Sequence, residues 1–245
     1  MNLPRASEVL QQDYYASTAV EYDAMHRDIE HEFALTVIAA YIEHHQIRSV
    51  LDVGAGTGNA MQWLKRRFPD LNIKGVEPVQ ALREQAYGKG ISELDLVDGS
   101  GYLLPFPDSS FEMVCEFAVL HHVKEPNRMV NEMSRVASRM LCISDCNFMG
   151  QGSWPVRNLK RLIYFSRLWP LANLVKTKGK GYTFSKEDGV AYSYSVFQSI
   201  ATLKRSWRTL RIMTASGKSD GIFGLTASAA HLLVIAAGRI DNREA

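Results

Sequence analysis

The segment Val50-Leu51-Asp52-Val53-Gly54-Ala55-Gly56-Thr57-Gly58 decides the fold. A short β-branched run, read as a strand over 48–53, delivers Asp52 and then three alternating glycines. These let the chain turn tightly and let a ligand approach where a Cβ would collide. The next helix starts near Asn59, with its free amides facing that ligand. A dinucleotide-binding turn spells GxGxxG, because its third glycine supports helix packing beneath a pyrophosphate. Here the spacing is GxGxG and position 59 is Asn. Asp52, two residues before the first glycine, also puts a carboxylate near the turn, which suits a cationic ligand better than a diphosphate.

Working outward, Phe33, Val37, Ile38, Tyr41 and Ile42 recur with helical spacing and predict a helix over 28–46. Met61, Leu64 and Phe68 mark a second helix, stopped by Pro69, before a buried strand at 71–76. Residues 81–87 read as helix, and 94–97 and 111–115 as extended. Pro126 suits the first turn of a helix with the inward stripe Met129, Val130, Met133 and Val136, ahead of a fifth strand at 140–144. Strands alternating with helices at this spacing predict an α/β fold with a mostly parallel sheet wrapped on both faces. The alternation breaks after Asn147 and returns at 210–213 and 232–237, read as two terminal strands paired as a hairpin. The uncharged stretch 222–238 reads as strand, turn and strand and falls short of a spanning helix.

The chain has 245 residues and 46% hydrophobic content, enough for one sizeable domain. Its formal charge of +2 gives no argument for nucleic acid. Cys115, Cys142 and Cys146 form no CxxC pair, so neither a disulfide framework nor a metal site is expected. Residues 1–15 carry acids and glutamines where a signal peptide would be apolar, so a cytoplasmic protein is expected.

The second strand ends in Val76-Glu77-Pro78, where an acid can accept hydrogen bonds from both ribose hydroxyls of a nucleoside, about twenty residues past the turn. With LDVGAGTG, this VEP, GSGYLLPFPDSSFEMV and AVLHHV, the chain resembles the class I S-adenosylmethionine-dependent methyltransferases, in particular the bacterial type 11 group. The resemblance implies a Rossmann-like, seven-stranded, mostly parallel sheet with helices on both faces and a lid insertion before the last two strands. It divides one domain into a cofactor-covering segment (1–29), a cofactor-binding core (30–146), a substrate lid (147–206) and terminal strands (207–245). The implied cofactor is S-adenosyl-L-methionine, held by Asp52, Gly54, Ala55, Gly56, Gly58, Glu77, Pro78 and Phe117, with Tyr22 closing over it. Ser100 stands where relatives commonly place the acid that contacts adenine, so that contact is assigned to Asp98, Ser100 and Gly101 without choosing a side chain.

At the acceptor end, Glu116, Phe117, His121 and His122 follow the fourth strand, on the edge where ligands bind in open α/β sheets. A histidine near neutral pKa can deprotonate a hydroxyl. His121, His122 and Asp145 are therefore the catalytic candidates, against packing or capping roles. No Asn/Asp-Pro-Pro-aromatic motif follows the strand and no Pro-Cys nucleophile appears, so nucleic acid is not the expected acceptor. Residues 146–186 hold no Asp or Glu but eight cations: Arg157, Lys160, Arg161, Arg167, Lys176, Lys178, Lys180 and Lys186. Such a segment can lie on an anionic membrane, grip a phosphate, or be a solvated lid whose Leu159, Leu162 and Ile163 pack on the domain.

The runs SDCNFMGQGS and WPLANLVKTKGKGY resemble methyltransferases encoded among bacterial surface-polysaccharide genes. This implies a sugar or lipid-linked glycan acceptor, with Lys176, Lys178 and Lys180 near a phosphate and Tyr182, Tyr192 and Tyr194 as stacking surfaces. A quinone-like or other small metabolite is the alternative acceptor. An NAD-dependent oxidoreductase and a non-catalytic cofactor-binding scaffold are the readings from other classes.

Overall fold

A computed structural model describes residues 6–25, 29–215 and 229–240. Two helices, α1 (Ala6–Thr18) and α2 (Tyr22–Met25), precede the sheet, followed by α3 (Ile29–His44). The core then alternates β1 (Ser49–Val53), α4 (Asn59–Arg67), β2 (Asn72–Val76), α5 (Gln80–Gly88), β3 (Leu96–Val97), β4 (Phe111–Phe117), α6 (Pro126–Val136) and β5 (Ala137–Cys146). An insertion supplies α7 (Trp154–Phe165), α8 (Trp169–Lys176), β6 (Tyr182–Ser185) and β7 (Gly189–Tyr192). The chain closes with α9 (Ile200–Ser206), β8 (Trp207–Thr214) and β9 (His231–Arg239).

Seven strands form one sheet in the order β3-β2-β1-β4-β5-β9-β8. The first five are mutually parallel, while β9 runs antiparallel to β5 and β8 antiparallel to β9. This is the expected Rossmann-like arrangement. Alternate residues of each strand feed opposite faces, as the period of two requires. Leu51, Val53 and Val114 pack with Met129, Val130, Met133 and Val136 of α6 and with Leu203 and Trp207. Val50, Met113 and Cys115 pack with Ile38 and Ile42 of α3 and Met61 and Leu64 of α4.

β5 runs 137–146, longer than the 140–144 expected. Among its extra residues, Asp145 and Cys146 pair with Leu232 and His231, and a charged residue at a strand end interrupts the apolar signal. Helix α1 went unread because its buried positions are Ser7, Gln11 and Tyr14, not an apolar stripe. The β6–β7 hairpin forms a separate two-stranded sheet. Tyr182 and Tyr192 face each other across it with ring centroids 5.9 Å apart. The expected packing of Leu159 and Leu162 on the domain is corrected, since they are 56% and 66% exposed, while Ile163 is half-buried. The first part of the 222–238 expectation lies outside the described residues. Among the described residues, no helix is long and apolar enough to cross a membrane.

Trp207 is buried, and its Nε1 donates to Ser134 Oγ at 3.1 Å, tying β8 to α6. Replacing it by Ala empties the largest buried side chain of that face and leaves Ser134 without its donor. The loss should be about 3–5 kcal/mol, read as a lowered urea midpoint at unchanged m-value.

Candidate active site

Strands β1 and β4 lie side by side at the centre of the sheet, where the crossovers diverge to opposite sides and open α/β sheets bind ligands. The turn leaving β1 holds Gly54, Gly56 and Gly58 at φ +79°, +56° and +75°, a region that β-carbons disfavour. A Cβ on Gly56 would approach the Tyr22 hydroxyl to 3.0 Å, and one on Gly58 would run into Ile91. The glycine turn is therefore required by what lies against it. Gly56 N–H donates to Glu77 Oε2 at 3.0 Å and Val79 N–H donates to Oε1 at 2.9 Å, which fixes the Glu77 carboxylate at the end of β2. The Asp23 side chain of α2 accepts from Thr57 Oγ1, from Asn59 Nδ2 at 2.9 Å and from Lys89 Nζ at 2.7 Å. The N-terminal segment is thereby strapped across the turn.

Two cavities meet here. One, of about 150 Å³, is lined by Tyr15, Glu77, Pro78, Ser100, Gly101 and His122 among others. The other, of about 640 Å³, is lined by His31, Leu35, Asp52, Ala55 and Trp63 among others. Tyr22, Gly54 and Phe117 belong to both and form the neck between them.

Asp52 is buried, and neither of its carboxylate oxygens has a hydrogen-bond partner among the described residues. Burial, then the nearby Glu77 charge, raise its pKa to about 7. Glu77 is also lifted to about 7, by burial opposed by its two backbone hydrogen bonds. An orphaned carboxylate beside a glycine turn, with a second carboxylate 25 residues on facing a separate cavity, fits S-adenosylmethionine: the ammonium beside Asp52, the ribose hydroxyls at Glu77. Of the turn assigned to adenine, Ser100 and Gly101 line the wall. Asp98 does not: its exposed carboxylate pairs with Arg83 at 2.7 Å, turned away as the extended backbone dictates.

The two histidines occupy different walls. His122 Nδ1 donates to the Val190 carbonyl at 2.6 Å, which leaves the lone pair on Nε2 to accept from the Tyr15 hydroxyl at 3.0 Å. Burial and the neighbouring His121 lower its pKa to about 4, so it is neutral at physiological pH. His121 Nδ1 bonds Asp145 Oδ1 at 2.8 Å, and its Nε2 lies 3.4 Å from Asp188 Oδ2. Burial opposes charge on His121, but Asp145 and Asp188 outweigh it and lift its pKa to about 10. Asp145 itself is fully buried. Its Oδ2 accepts from Leu120 N–H at 2.7 Å and His121 N–H at 3.3 Å, and its Oδ1 accepts from Cys146 N–H at 2.5 Å as well as from His121. The expectation of Asp145 as a catalytic group is corrected on this geometry: no acceptor can reach it, and it is a positioning residue for His121.

His121 lines a third cavity, of about 170 Å³, with Cys146, Lys160, Lys176, Asp188 and Tyr192. Burial, then Lys176, hold the Lys160 ammonium below its ordinary pKa. Of the three lysines assigned to a phosphate, only Lys176 is here; Lys178 and Lys180 are exposed elsewhere. Tyr194 cannot stack on a ring, since it is buried and bonded to Ser199. Gln11, Tyr15, His31 and Asp188 were missed as site residues, because no periodicity or motif marks them, and Lys160 was read only as one of the eight cations of the insertion.

Residues 51–139 match the family described as Methyltransferase domain. The chain is 28% identical over 162 residues to an uncharacterized methyltransferase of Schizosaccharomyces pombe, covering 61% of this chain and 58% of that protein. It is 29% identical over 190 residues to a demethylmenaquinone methyltransferase of Deinococcus radiodurans, covering 74% of this chain and 78% of that one. The fold matches the magnesium protoporphyrin IX methyltransferase of Synechocystis with bound S-adenosylmethionine, at TM-score 0.60 and 14% identity over 97% of this chain and 100% of that one. The chain thus spans just under three fifths of the first relative's length.

A raised carboxyl pKa means that the folded protein holds its proton more tightly than the unfolded chain does. Stability of the ligand-free protein therefore falls as pH rises from about 4 to 7, and Asp52→Asn should remove part of that fall. Thermal melts should show Asp52→Asn more stable than wild type at pH 8, with binding of S-adenosylhomocysteine weakened. An unchanged pH dependence, or unweakened binding, would contradict the assignment. Cradle, paired cavities and sequence match agree: residues 51–139 match a methyltransferase domain, and the site beside them fits S-adenosylmethionine.

Proposed function

We propose that the chain methylates a ring hydroxyl of a phosphate-bearing, lipid-linked acceptor, a sugar or glycan intermediate in the first reading. The observation that carries this is the histidine pair, which is the shared wall between the donor cavity, faced by His122, and the lysine cavity, faced by His121. A phosphate seated at Lys160 and Lys176 would meet two cations in the cavity that His121 also lines. The 640 Å³ cavity is also lined by Arg66 and Lys89, but neither His121 nor His122 lines it, and Lys89 is paired with Asp23 at 2.7 Å.

The cofactor supplies an electrophilic methyl on a sulfonium. The protein's work is to hold the acceptor oxygen in line, exclude water and take one proton. Tyr22 and Phe117 narrow the neck between the two cavities that would hold the donor. As the new C–O bond forms, the hydroxyl proton passes to the Tyr15 oxygen while the Tyr15 proton moves to His122 Nε2, along the 3.0 Å hydrogen bond already made. His121, an imidazolium held between Asp145 and Asp188, cannot be that base. Its charge instead offsets negative charge developing on the acceptor.

A second reading, a quinol-like acceptor, is supported by the Deinococcus radiodurans relative, a demethylmenaquinone methyltransferase that aligns over most of its length. Incubation with methyl-labelled S-adenosylmethionine and either lipid-linked or nucleotide sugars or demethylated quinols separates the two. Label in the sugar arm supports the first reading, and label confined to quinols supports the second. No label in any hydroxylated acceptor contradicts both. On the active acceptor, Tyr15→Phe and His122→Gln should each lower kcat by roughly 10²–10⁴ while S-adenosylhomocysteine still binds.

A further inference from the structure

The α7–α8 helical pair presents a surface that its own domain does not cover. Neither helix has a buried residue. Large apolar side chains from Trp154 to Val175, including Leu162, Phe165 and Leu171, are 44–73% exposed. In water this is an unfavourable arrangement for a monomer's surface, and contiguous exposed apolar area marks an interaction site. The helices nevertheless contact each other, and α7 contacts the turn after β5, so the pair is a placed element.

The charge around this face selects its occupant. Residues 146–186 contain no carboxylate side chain, and Arg167, Lys178 and Lys180 are exposed at the helix junction and at the far end of α8. A second copy docking through the same face would set like charges against each other. Helices of 12 and 8 residues span only about 18 and 12 Å, far less than a hydrocarbon core of about 30 Å. Short helices with a tryptophan- and leucine-rich apolar surface and cationic flanks suit the plane of a headgroup layer, with the apolar side chains below it and the cations on lipid phosphates.

We infer that α7 and α8 dock the protein on an anionic phospholipid surface. The docking places the lysine cavity, lined by Lys160 of α7 and Lys176 of α8, beside that surface. It is independent of which acceptor is methylated, because lipid binding requires neither donor nor acceptor.

The test is co-sedimentation of the full chain with phosphatidylcholine vesicles, with and without about 30% phosphatidylglycerol, at salt of about 0.1 M and about 1 M, with Trp fluorescence as the second readout. Binding is expected only with the anionic lipid at low salt, with a blue shift as Trp154 leaves water. Reversing Arg167, Lys178 and Lys180 to Glu should weaken binding about a hundredfold or more. Leu162→Ser with Phe165→Ser should weaken it and abolish the blue shift. Both variants should keep the wild-type melting temperature and S-adenosylhomocysteine affinity, since the altered side chains are exposed. Absence of binding to anionic vesicles at low salt overturns the inference. So does binding that survives both sets of substitutions, or tighter binding to polyglutamate than to the vesicles.

Discussion

The site depends on a buried carboxylate kept without a counter-charge. Asp52 sits at the end of a central strand, where backbone hydrogen bonds are spent in the ladder and, among the described residues, no side chain hydrogen-bonds it. Keeping a carboxyl there costs free energy that only a cation can return. The glycine turn beside it exists to admit such a ligand, because left-handed backbone at three alternate positions removes the side chains that would fill the space. Glu77 is set by amides of that same turn and of the strand end. Donor recognition is thus one connected arrangement, in which moving the turn would displace both carboxylates.

The cluster proposed to face the acceptor is built differently. Its groups come from distant parts of the chain: Tyr15 from α1, the histidines from the loop after β4, Asp188 from the β6–β7 turn and the lysines from α7 and α8. The α1 helix is what joins them. Gln11 Oε1 accepts from Val190 N–H at 2.5 Å, and the Tyr14 hydroxyl donates to the Lys186 carbonyl at 2.9 Å. The N-terminal segment strapped across the glycine turn therefore also anchors the hairpin whose Asp188 faces the histidines. Adjacent histidines end in different charge states, His121 cationic and His122 neutral, because their surroundings differ. His121 is hydrogen-bonded to the buried Asp145 and faces Asp188, while His122, buried and more weakly paired, bonds a carbonyl and a phenol and is opposed by the His121 charge.

The parts of this architecture that repeat along the sequence were readable from it. The parallel strands announce themselves as short apolar runs, and Asp52 and Glu77 are fixed by their distance from the glycines. Side-chain direction in a turn has no period, which is why Asp98 was grouped with Ser100 and Gly101 although it faces Arg83. Asp145 reads as catalytic by its place at a strand end. Only the three-dimensional arrangement shows all of its acceptor capacity taken by the loop beside it. Asp188 lies just beyond the acid-free stretch and Gln11 on a helix with a polar buried face, so neither carried a signal that sequence alone could weigh. The apolar residues of α7 carried a signal with the wrong implication, since helical spacing predicts a buried face without saying what buries it.

Calorimetric titration of S-adenosylhomocysteine near pH 7, in two buffers of different ionisation enthalpy, tests the central claim most directly. The account predicts binding with net release of protons to the buffer, as the ligand's ammonium draws Asp52 into its charged form, and loss of most of that release in Asp52→Asn. Absence of heat in either buffer, or binding with no proton release, would contradict it.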